Sequence, residues 1–335
     1  MDYSLFIPTR GVNAFLKMNA APFFLNAKDF IETPDGLVFA VLSGIEEAGR
    51  IPAYLRYRRG DAGLQKVATA EALSVLHHHG LRFYFDSDSR AVRLQGVALG
   101  DVHRIYRAHE RTQEILSKRP DDPIARSAQN LLKFLLDGTG SFECLGVTGS
   151  LLIGAQTLQS DIDLVVYDRV NFDRMRQRVL EGIEIGVLQD LSPEDWSEAH
   201  ARRGATLTLE EYLRHEKRKG NKALIDGVKF DLTLLDLSLK EPKPAKHKEG
   251  SMDLRATVID AHESFGFPAR YRVNHPEIFE VLAFSQTYAG QAVEGEKIWV
   301  RGRLEVLHNG QKRIVVGQDR EAHGEFIKLD LGEDS

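Results

Sequence analysis

Apolar and polar residues alternate in several short segments of the first hundred residues, and this period of two predicts β-strands. Apolar residues at helical spacing from Ala68 to His78, closed by Gly80, predict a helix between them. Two further alternating segments on either side of the turn at 86–89 predict a hairpin. The predicted strands are 37–43, 52–58, 81–85 and 91–96. This pattern indicates a small α+β domain over residues 1–100.

Strand and helix patterns alternate through the middle of the chain. Two helices are predicted at 101–116 and 122–136, on either side of a segment with two prolines. The predicted elements that follow are a strand at 142–147, a helix at 150–157, a strand at 161–167, a helix at 171–182, a polar helical insert at 192–219 and a strand at 227–235. This order indicates an α/β catalytic domain over residues 101–240.

The last part of the chain has mostly strand patterns. It follows a charged, proline-bearing linker at 240–250. Asn309-Gly310 lies between two alternating segments and is a strong hairpin signal. We predict a small β-barrel over residues 251–335, and an oligonucleotide-binding barrel is one of several kinds that fit. The predicted fold class is therefore α/β (α+β), a mixed sheet with flanking helices between an N-terminal α+β domain and a C-terminal β-barrel.

The composition changes this picture little. A chain of 335 residues with 42% hydrophobic and 28% charged residues is typical of a soluble protein with more than one core. No apolar segment is long enough to cross a membrane, and no signal peptide is recognisable, so we expect a cytoplasmic protein without a membrane partner. The single cysteine, Cys144, is expected to be a buried, inert thiol. The sequence leaves the oligomeric state open.

The candidate chemistry begins with two aspartates in an apolar strand. Asp161 and Asp163 are two residues apart, so both side chains project from one face. Two adjacent carboxylates repel each other unless a cation lies between them. Carboxylate oxygens are preferred ligands of hard divalent ions such as Mg²⁺. Gly149-Ser150 opens the preceding helix, where free backbone N–H groups attract phosphate. The combination points to phosphoryl or nucleotidyl transfer.

A third carboxylate completes the candidate site. Asp231 lies in the middle of the predicted strand 227–235, between Phe230 and Leu232, which would face the opposite side. A charged side chain in an apolar strand is costly to bury without a partner. If the two strands are neighbours, three carboxylates converge and can hold two metal ions.

In this order, these residues resemble the DNA polymerase beta-type nucleotidyltransferase superfamily, over about residues 101–240. The ten-residue spacer from Leu151 to Ser160 falls within the range of that superfamily. Thr148 is a small departure, since an apolar residue is more frequent before the glycine. The resemblance implies that Asp161 and Asp163 bind both metals. It further implies that Asp231 completes one metal site and helps to activate the acceptor hydroxyl, and that Gly149 and Ser150 hold the triphosphate.

A local basic segment precedes Asp231, although the whole chain has a net charge of −5. Eight basic residues occur there against four acidic ones: Arg202, Arg203, Arg214, Lys217, Arg218, Lys219, Lys222 and Lys229, against Glu210, Glu211, Glu216 and Asp226. Such a segment is either a phosphate-binding wall or a solvated helix face. We predict nucleotide binding by Arg214 together with Lys217 or Arg218, one helical turn away.

The expected function is a nucleotidyltransferase that uses two Mg²⁺ ions, with Mn²⁺ as a substitute, and moves NMP from an NTP such as ATP to an acceptor hydroxyl. A nucleic-acid end, RNA or tRNA first, is the favoured acceptor because of the basic segment and the flanking domains. A small molecule or a protein side chain is the alternative that the acidic net charge favours. A nucleotide-binding regulator without catalysis is the third hypothesis.

Overall fold

The structure of the chain, a computed structural model, describes residues 25–61, 63–87, 92–137, 141–204, 206–239, 242–317 and 322–332. These residues form a mixed α/β fold with seven α-helices and three sheets, so the predicted mixed class is confirmed at this level. The chain divides into two compact units between Arg107 and Ala108. The division into three domains stays a prediction, and the N-terminal residues inspected for a signal peptide lie outside the described part.

The first unit is built on an antiparallel sheet. Its strands are β1 Phe30–Glu32, β2 Leu37–Val41, β3 Arg50–Gly60, β4 Gly63–Lys66, β5 Tyr84–Ser87, β6 Val92–Ala98 and β7 Arg104–Tyr106. They pair in the order β5-β6-β3-β2-β1-β7, and β4 pairs with β3. Helix α1, Thr69–His77, closes the core through Leu76, which packs with Phe39, Leu55 and Phe83. The helix and the strands predicted at 37–43, 52–58 and 91–96 are confirmed in their described residues. The strand predicted at 81–85 is displaced, because residues 81–83 form a turn and the strand Tyr84–Ser87 includes the predicted turn residues Asp86 and Ser87. The predicted turn residues 88 and 89 lie outside the described residues.

The predicted helix at 101–116 is wrong at its start. Residues Arg104–Tyr106 form strand β7, which pairs with β1 so that Tyr106 lies opposite Phe30. The Tyr106 hydroxyl donates a 2.5 Å hydrogen bond to Glu32, which is buried in the same sheet. This long-range pairing overrides the local helical preference, and the helix begins only at Ala108.

The second unit contains a four-stranded sheet surrounded by helices. Its strands are β8 Leu145–Thr148, β9 Ile162–Val166, β10 Lys222–Ile225 and β11 Val228–Leu234. The helices are α2 Ala108–Ser117, α3 Pro123–Leu136, α4 Gly149–Ile153, α5 Arg169–Glu184, α6 Pro193–Arg203 and α7 Leu209–Lys219. The strand order is β10-β11-β9-β8, with β9 and β11 parallel and the two outer pairs antiparallel.

One face of this sheet is the core of the second unit. Ile162 and Leu164 of β9 and Phe230 and Leu232 of β11 are buried against the apolar faces of α3 and α5. Helix α3 begins where the sequence predicted, because Pro123 follows an Asp122 side chain that accepts a 2.8 Å hydrogen bond from the backbone of Ala125. Since neighbouring strand residues alternate in direction, the other face receives the polar residues of β9 and β11.

The C-terminal sheet closes into a near-barrel ring. Its strands are β12 Ala245–Asp260, β13 Ala269–Asn274, β14 Ile278–Ala283, β15 Lys297–Leu307, β16 Lys312–Val316 and β17 Phe326–Leu329. The order is β12-β13-β14-β16-β15-β17, and an additional pairing of β12 with β15 closes the ring. The hairpin at Asn309-Gly310 is confirmed. Strand β12 begins within the predicted linker, because residues 245–250 pair with β15.

Helices α6 and α7 are covered by this ring. Trp196 of α6, Tyr212 of α7 and Leu207 between them are buried in the same apolar core as Tyr271 and Tyr288 of the ring region. The predicted polar insert is therefore two amphipathic helices whose apolar sides face the C-terminal sheet. None of the helices in the described ranges has the length and apolarity needed to cross a membrane.

Candidate active site

The parallel pair β9 and β11 brings two of the predicted carboxylates side by side. Asp163 and Asp231 are direct register partners, so their side chains project from the same face of neighbouring strands. Asp161 is half-buried and immediately precedes β9, two residues before the exposed Asp163. The alternation predicted from the sequence is therefore present in both strands, with the apolar neighbours in the core and the aspartates on the opposite face.

Gly149 lies directly against one of these carboxylates. A Cβ atom placed on Gly149 would be 2.1 Å from Oδ2 of Asp163, and its backbone is left-handed with φ of +65°. Both the close approach and the dihedral angle favour glycine. The next residue, Ser150, is half-buried in the first turn of α4, whose residues Leu151–Ile153 are buried. The Gly-Ser turn and the Asp163 side chain therefore share one end of the sheet.

The same face continues across all four strands. Lys222 of β10 is the register partner of Asp231, and Thr148 of β8 is the register partner of Asp163. Four polar residues of neighbouring strands thus form one row. This position explains why a polar residue occupies position 148, where an apolar one would be more frequent in the superfamily that the sequence resembles.

The oxygen donors suit Mg²⁺, but the side chains are not gathered around a common centre. Within the described ranges, no group of three His, Cys, Asp or Glu side chains is arranged to hold a metal ion. Carboxylate oxygens are nevertheless the donors that hard divalent ions prefer, and Asp163 and Asp231 start from directly opposed backbone positions. The three aspartates therefore fit such an ion in chemistry and in backbone placement.

Asp231 has a defined local environment. The Asn221 side chain donates 3.2 Å hydrogen bonds from Nδ2 to Oδ1 of Asp231 and to the backbone oxygen of Leu232. Asn221 follows α7 and precedes β10, so it belongs to the connection that leads into the site. The hydroxyl of the buried Tyr212 has a raised pKa, chiefly because of burial, and the charges of Glu216 and Asp231 act in the same direction.

The predicted basic residues are distributed differently from what the sequence suggested. Arg214 pairs with Glu210 at 3.0 Å on the exposed side of α7, and Arg218 pairs with Glu296 at 2.8 Å, in the C-terminal part of the chain. Lys217 is exposed and lines a cavity of about 140 Å³ with Trp196 and Lys222. The structure does not bring these three cations to the carboxylates, and their role in nucleotide binding stays a prediction.

Three charged residues of the basic segment are instead buried together. Lys219 and Lys222 both donate hydrogen bonds to Glu216. Burial alone would raise the pKa of Glu216, but the two ammonium groups hold it at about 2. Burial lowers the pKa of Lys219 to about 8 against the opposing effect of Glu216. Lys229, the last cation of the segment, pairs with Asp195 at 2.6 Å.

An archaeal protein resembles the chain over almost its whole length. The protein named Uncharacterized protein MJ1086, from Methanocaldococcus jannaschii, is 31% identical over 333 residues, which cover 90% of this chain and 98% of the relative. The chain belongs to the family of this archaeal protein. No protein-family profile matches the chain. The name of this relative states no activity.

The sequence pattern does not identify two residues next to Asp231. Asn221 belongs to no predicted motif, and Lys222 is predicted only as part of the basic segment. In the structure Asn221 donates a hydrogen bond to Asp231, and Lys222 is the register partner of Asp231. A signal for Lys222 is present in the sequence, because Asp226-Gly227 is a two-residue hairpin turn, with φ angles of +53° and +76°. Counting outwards from this turn pairs Lys222 with Asp231.

Proposed function

We propose that the chain is a Mg²⁺-dependent nucleotidyltransferase of the DNA polymerase beta type, which transfers NMP from an NTP to an acceptor hydroxyl and releases pyrophosphate. The observation that carries this proposal is the register pairing of Asp163 with Asp231 on parallel strands, with Gly149 against Asp163. Structural aspartates rarely occur in directly opposed pairs on a sheet, since like charges at this spacing destabilise it. A role in binding cations accounts for their position.

Each residue of the site has a proposed role. Asp161, Asp163 and Asp231 would hold two Mg²⁺ ions, which when bound neutralise charge on the attacking and leaving oxygens. Gly149 leaves room for the Asp163 carboxylate at the Gly-Ser turn. The backbone of this turn would hold the triphosphate, and the Ser150 hydroxyl can donate a hydrogen bond to a phosphate oxygen. Asp231 accepts a hydrogen bond from the acceptor hydroxyl, while Asn221 fixes the orientation of its carboxylate.

Buried polar atoms beside Asp231 support the presence of further polar groups in the working site. Within the described residues, the Tyr212 hydroxyl and Oδ1 of Asn221 have no hydrogen-bond partner. An unsatisfied buried polar atom costs about 1–3 kcal/mol, so such atoms are usually satisfied by water or a ligand. Their position next to the third carboxylate favours a polar substrate or ordered water there.

The acceptor that we propose is a nucleic-acid end, RNA first. The support is the near-barrel C-terminal sheet that covers α6 and α7, since small barrels include oligonucleotide-binding folds. The basic segment gives less support than the sequence suggested, because Arg214, Arg218, Lys219, Lys222 and Lys229 are engaged by carboxylates. A small-molecule or protein acceptor therefore remains the second candidate, favoured by the negative net charge.

The test is incubation with Mg²⁺ and each α-³²P-labelled NTP in turn, with RNA, DNA primers or no acceptor. We expect label on RNA, and the folded Asp163→Asn variant should lose at least about 100-fold of this transfer. Label on the protein or on a small molecule would show that the acceptor is not a nucleic acid, while the chain would still be a nucleotidyltransferase. Equal transfer by wild type and folded Asp163→Asn would refute the mechanism, and NTP binding without turnover would indicate a regulator.

A further inference from the structure

The buried charges under α7 form a connected cluster that the proposed reaction does not use. Only 2% of the Glu216 and Lys219 side chains and 15% of the Lys222 side chain are exposed. Lys219 and Lys222 donate to Glu216, and Lys219 also donates a 2.9 Å hydrogen bond to the backbone oxygen of Thr287. Buried ion pairs are costly to desolvate and rarely contribute much net stability, so a specific role is a better reason for such a cluster.

The cluster contains one more positive charge than it can neutralise. Two ammonium groups face a single carboxylate, and a buried excess charge is unfavourable unless another anion is near. Asp231 is that anion, because it is the register partner of Lys222 on the same face of the sheet. A continuous series of contacts thus runs from Thr287 in the C-terminal region, through Lys219 and Glu216, to Lys222 beside Asp231.

We propose that Lys222 is a positioning residue for Asp231, and that Glu216 and Lys219 hold Lys222 in place from the side of the C-terminal sheet. The fixed ammonium group directs the Asp231 carboxylate and keeps it beside Asp163. Asn221 supports the same orientation with its 3.2 Å hydrogen bond to Asp231. The catalytic consequence rests on the proposed function, whereas the electrostatic coupling of Lys222 with Asp231 does not.

The electrostatic coupling of Lys222 with Asp231 is tested first, by a double-mutant cycle of melting temperatures, which does not depend on enzymatic activity. We expect Lys222→Met to lower the melting temperature of the wild-type chain by more than it lowers that of the Asp231→Asn variant, because the interaction of Lys222 with Asp231 is lost only once. The matched control combines Lys222→Met with Asp161→Asn, which should give additive losses. Additive losses for Lys222→Met with Asp231→Asn would overturn the proposal.

The positioning role is tested by steady-state kinetics of the folded variants. We expect Lys222→Met to lower kcat by about 10- to 100-fold with little change in the KM for NTP, and Lys222→Arg to recover most of the loss. The control Lys118→Met, at an exposed lysine of the same unit, should keep the wild-type kcat. A folded Lys222→Met variant with the wild-type kcat would overturn the role, since a purely structural lysine affects only stability.

Two further outcomes remain decisive. If Lys222→Met does not fold, Glu216→Gln replaces it, because this change keeps both ammonium groups but releases Lys222, and the same loss of kcat is expected. A wild-type kcat in folded Glu216→Gln would then refute the positioning. If the wild-type protein transfers no nucleotide to any acceptor, the proposed function fails, and the unfolding cycle alone decides whether Lys222 holds Asp231.

Discussion

At the scale of single residues, the site depends on the lack of a side chain at Gly149. Gly149, the first residue of helix α4, and Gly154, which follows its last residue, both have a positive φ, +65° and +70° respectively. They differ in their surroundings, because a Cβ atom on Gly149 would overlap the Asp163 carboxylate, whereas nothing lies within 4 Å of one on Gly154. Substitutions at the two glycines therefore share the backbone strain, but only a substitution at Gly149 also disturbs the Asp163 carboxylate.

We predict that Gly149→Ala is far more harmful than Gly154→Ala. Each alanine is strained by about 1–2 kcal/mol in the left-handed conformation. Gly149→Ala must also displace Asp163, so it should lose transfer activity by at least about 100-fold, whereas Gly154→Ala should keep the activity. Urea unfolding and transfer assays of both variants check this. Similar activity of the two folded variants would show that Asp163 needs no space at Gly149.

The sequence predicted the aspartates better than the cations. Alternation within a strand is a local property, so the common face of Asp161 and Asp163 could be inferred from spacing alone. The partner of a basic residue is a property of the folded chain, as with Arg218, whose partner Glu296 is 78 residues away. Asn221 was missed because a single amide in a charged segment gives no signal of its own.

At the scale of elements, α7 is fixed to the C-terminal region by a buried histidine. Nδ1 of His215 lies 2.9 Å from the backbone oxygen of Gln291, and Nε2 accepts a hydrogen bond of 3.4 Å from the backbone of Leu329. This pattern requires a neutral ring that donates from Nδ1. Burial, together with the charge of Lys219, lowers the pKa of His215 from 6.5 to about 4.

We predict that protonation of His215 weakens this docking in acid. The unfolded chain binds the proton below about pH 6.5 and the folded chain only near pH 4, so the stabilisation is complete above pH 6.5 and is lost as the pH falls towards 4. The free energy of unfolding should fall by on the order of 3 kcal/mol through this group. Urea unfolding at several pH values should show that the difference in unfolding free energy between wild type and His215→Gln decreases as the pH falls. A difference in unfolding free energy that stays constant from pH 7 to pH 4 would contradict the prediction.

Element prediction failed where tertiary pairing decided the outcome. Residues 104–106 pair with β1, which lies about seventy residues earlier in the chain. The sequence pattern of residues 104–106 themselves does not indicate this pairing. By contrast, α3 was predicted closely, since its N-cap aspartate, its first-turn proline and its apolar spacing all agree. Local signals therefore sufficed only where no distant strand competed.

At the scale of the whole molecule, the C-terminal sheet shares a separate apolar core with α6 and α7 within the second unit. It covers Trp196 and Tyr212, and its surrounding segments bond His215 and Lys219. Resemblance to a catalytic domain alone could not predict this, because the superfamily motif does not extend beyond the central segment. The relative from Methanocaldococcus jannaschii aligns over 90% of this chain, so the similarity is not limited to that segment.

We predict that a chain ending at residue 239 does not fold cooperatively. It would expose the apolar sides of α6 and α7 and leave Lys219 without its hydrogen bond to Thr287. Uncovering the apolar residues costs about 1.5–3 kcal/mol for each large apolar side chain. Urea unfolding followed by circular dichroism checks this. A single sharp transition of the truncated chain would show that the four-stranded sheet and its helices are stable alone.

The central claim is that the aspartates at the β9–β11 pair bind divalent ions, and it can be measured without knowing the acceptor. Titration of Mn²⁺ by electron paramagnetic resonance, in the presence of a non-hydrolysable NTP analogue, counts the bound ions for wild type and for Asp163→Asn. We expect about two bound Mn²⁺ ions per wild-type chain and at least one fewer in the folded Asp163→Asn variant. No Mn²⁺ binding by wild type, or equal binding by both proteins, would contradict it.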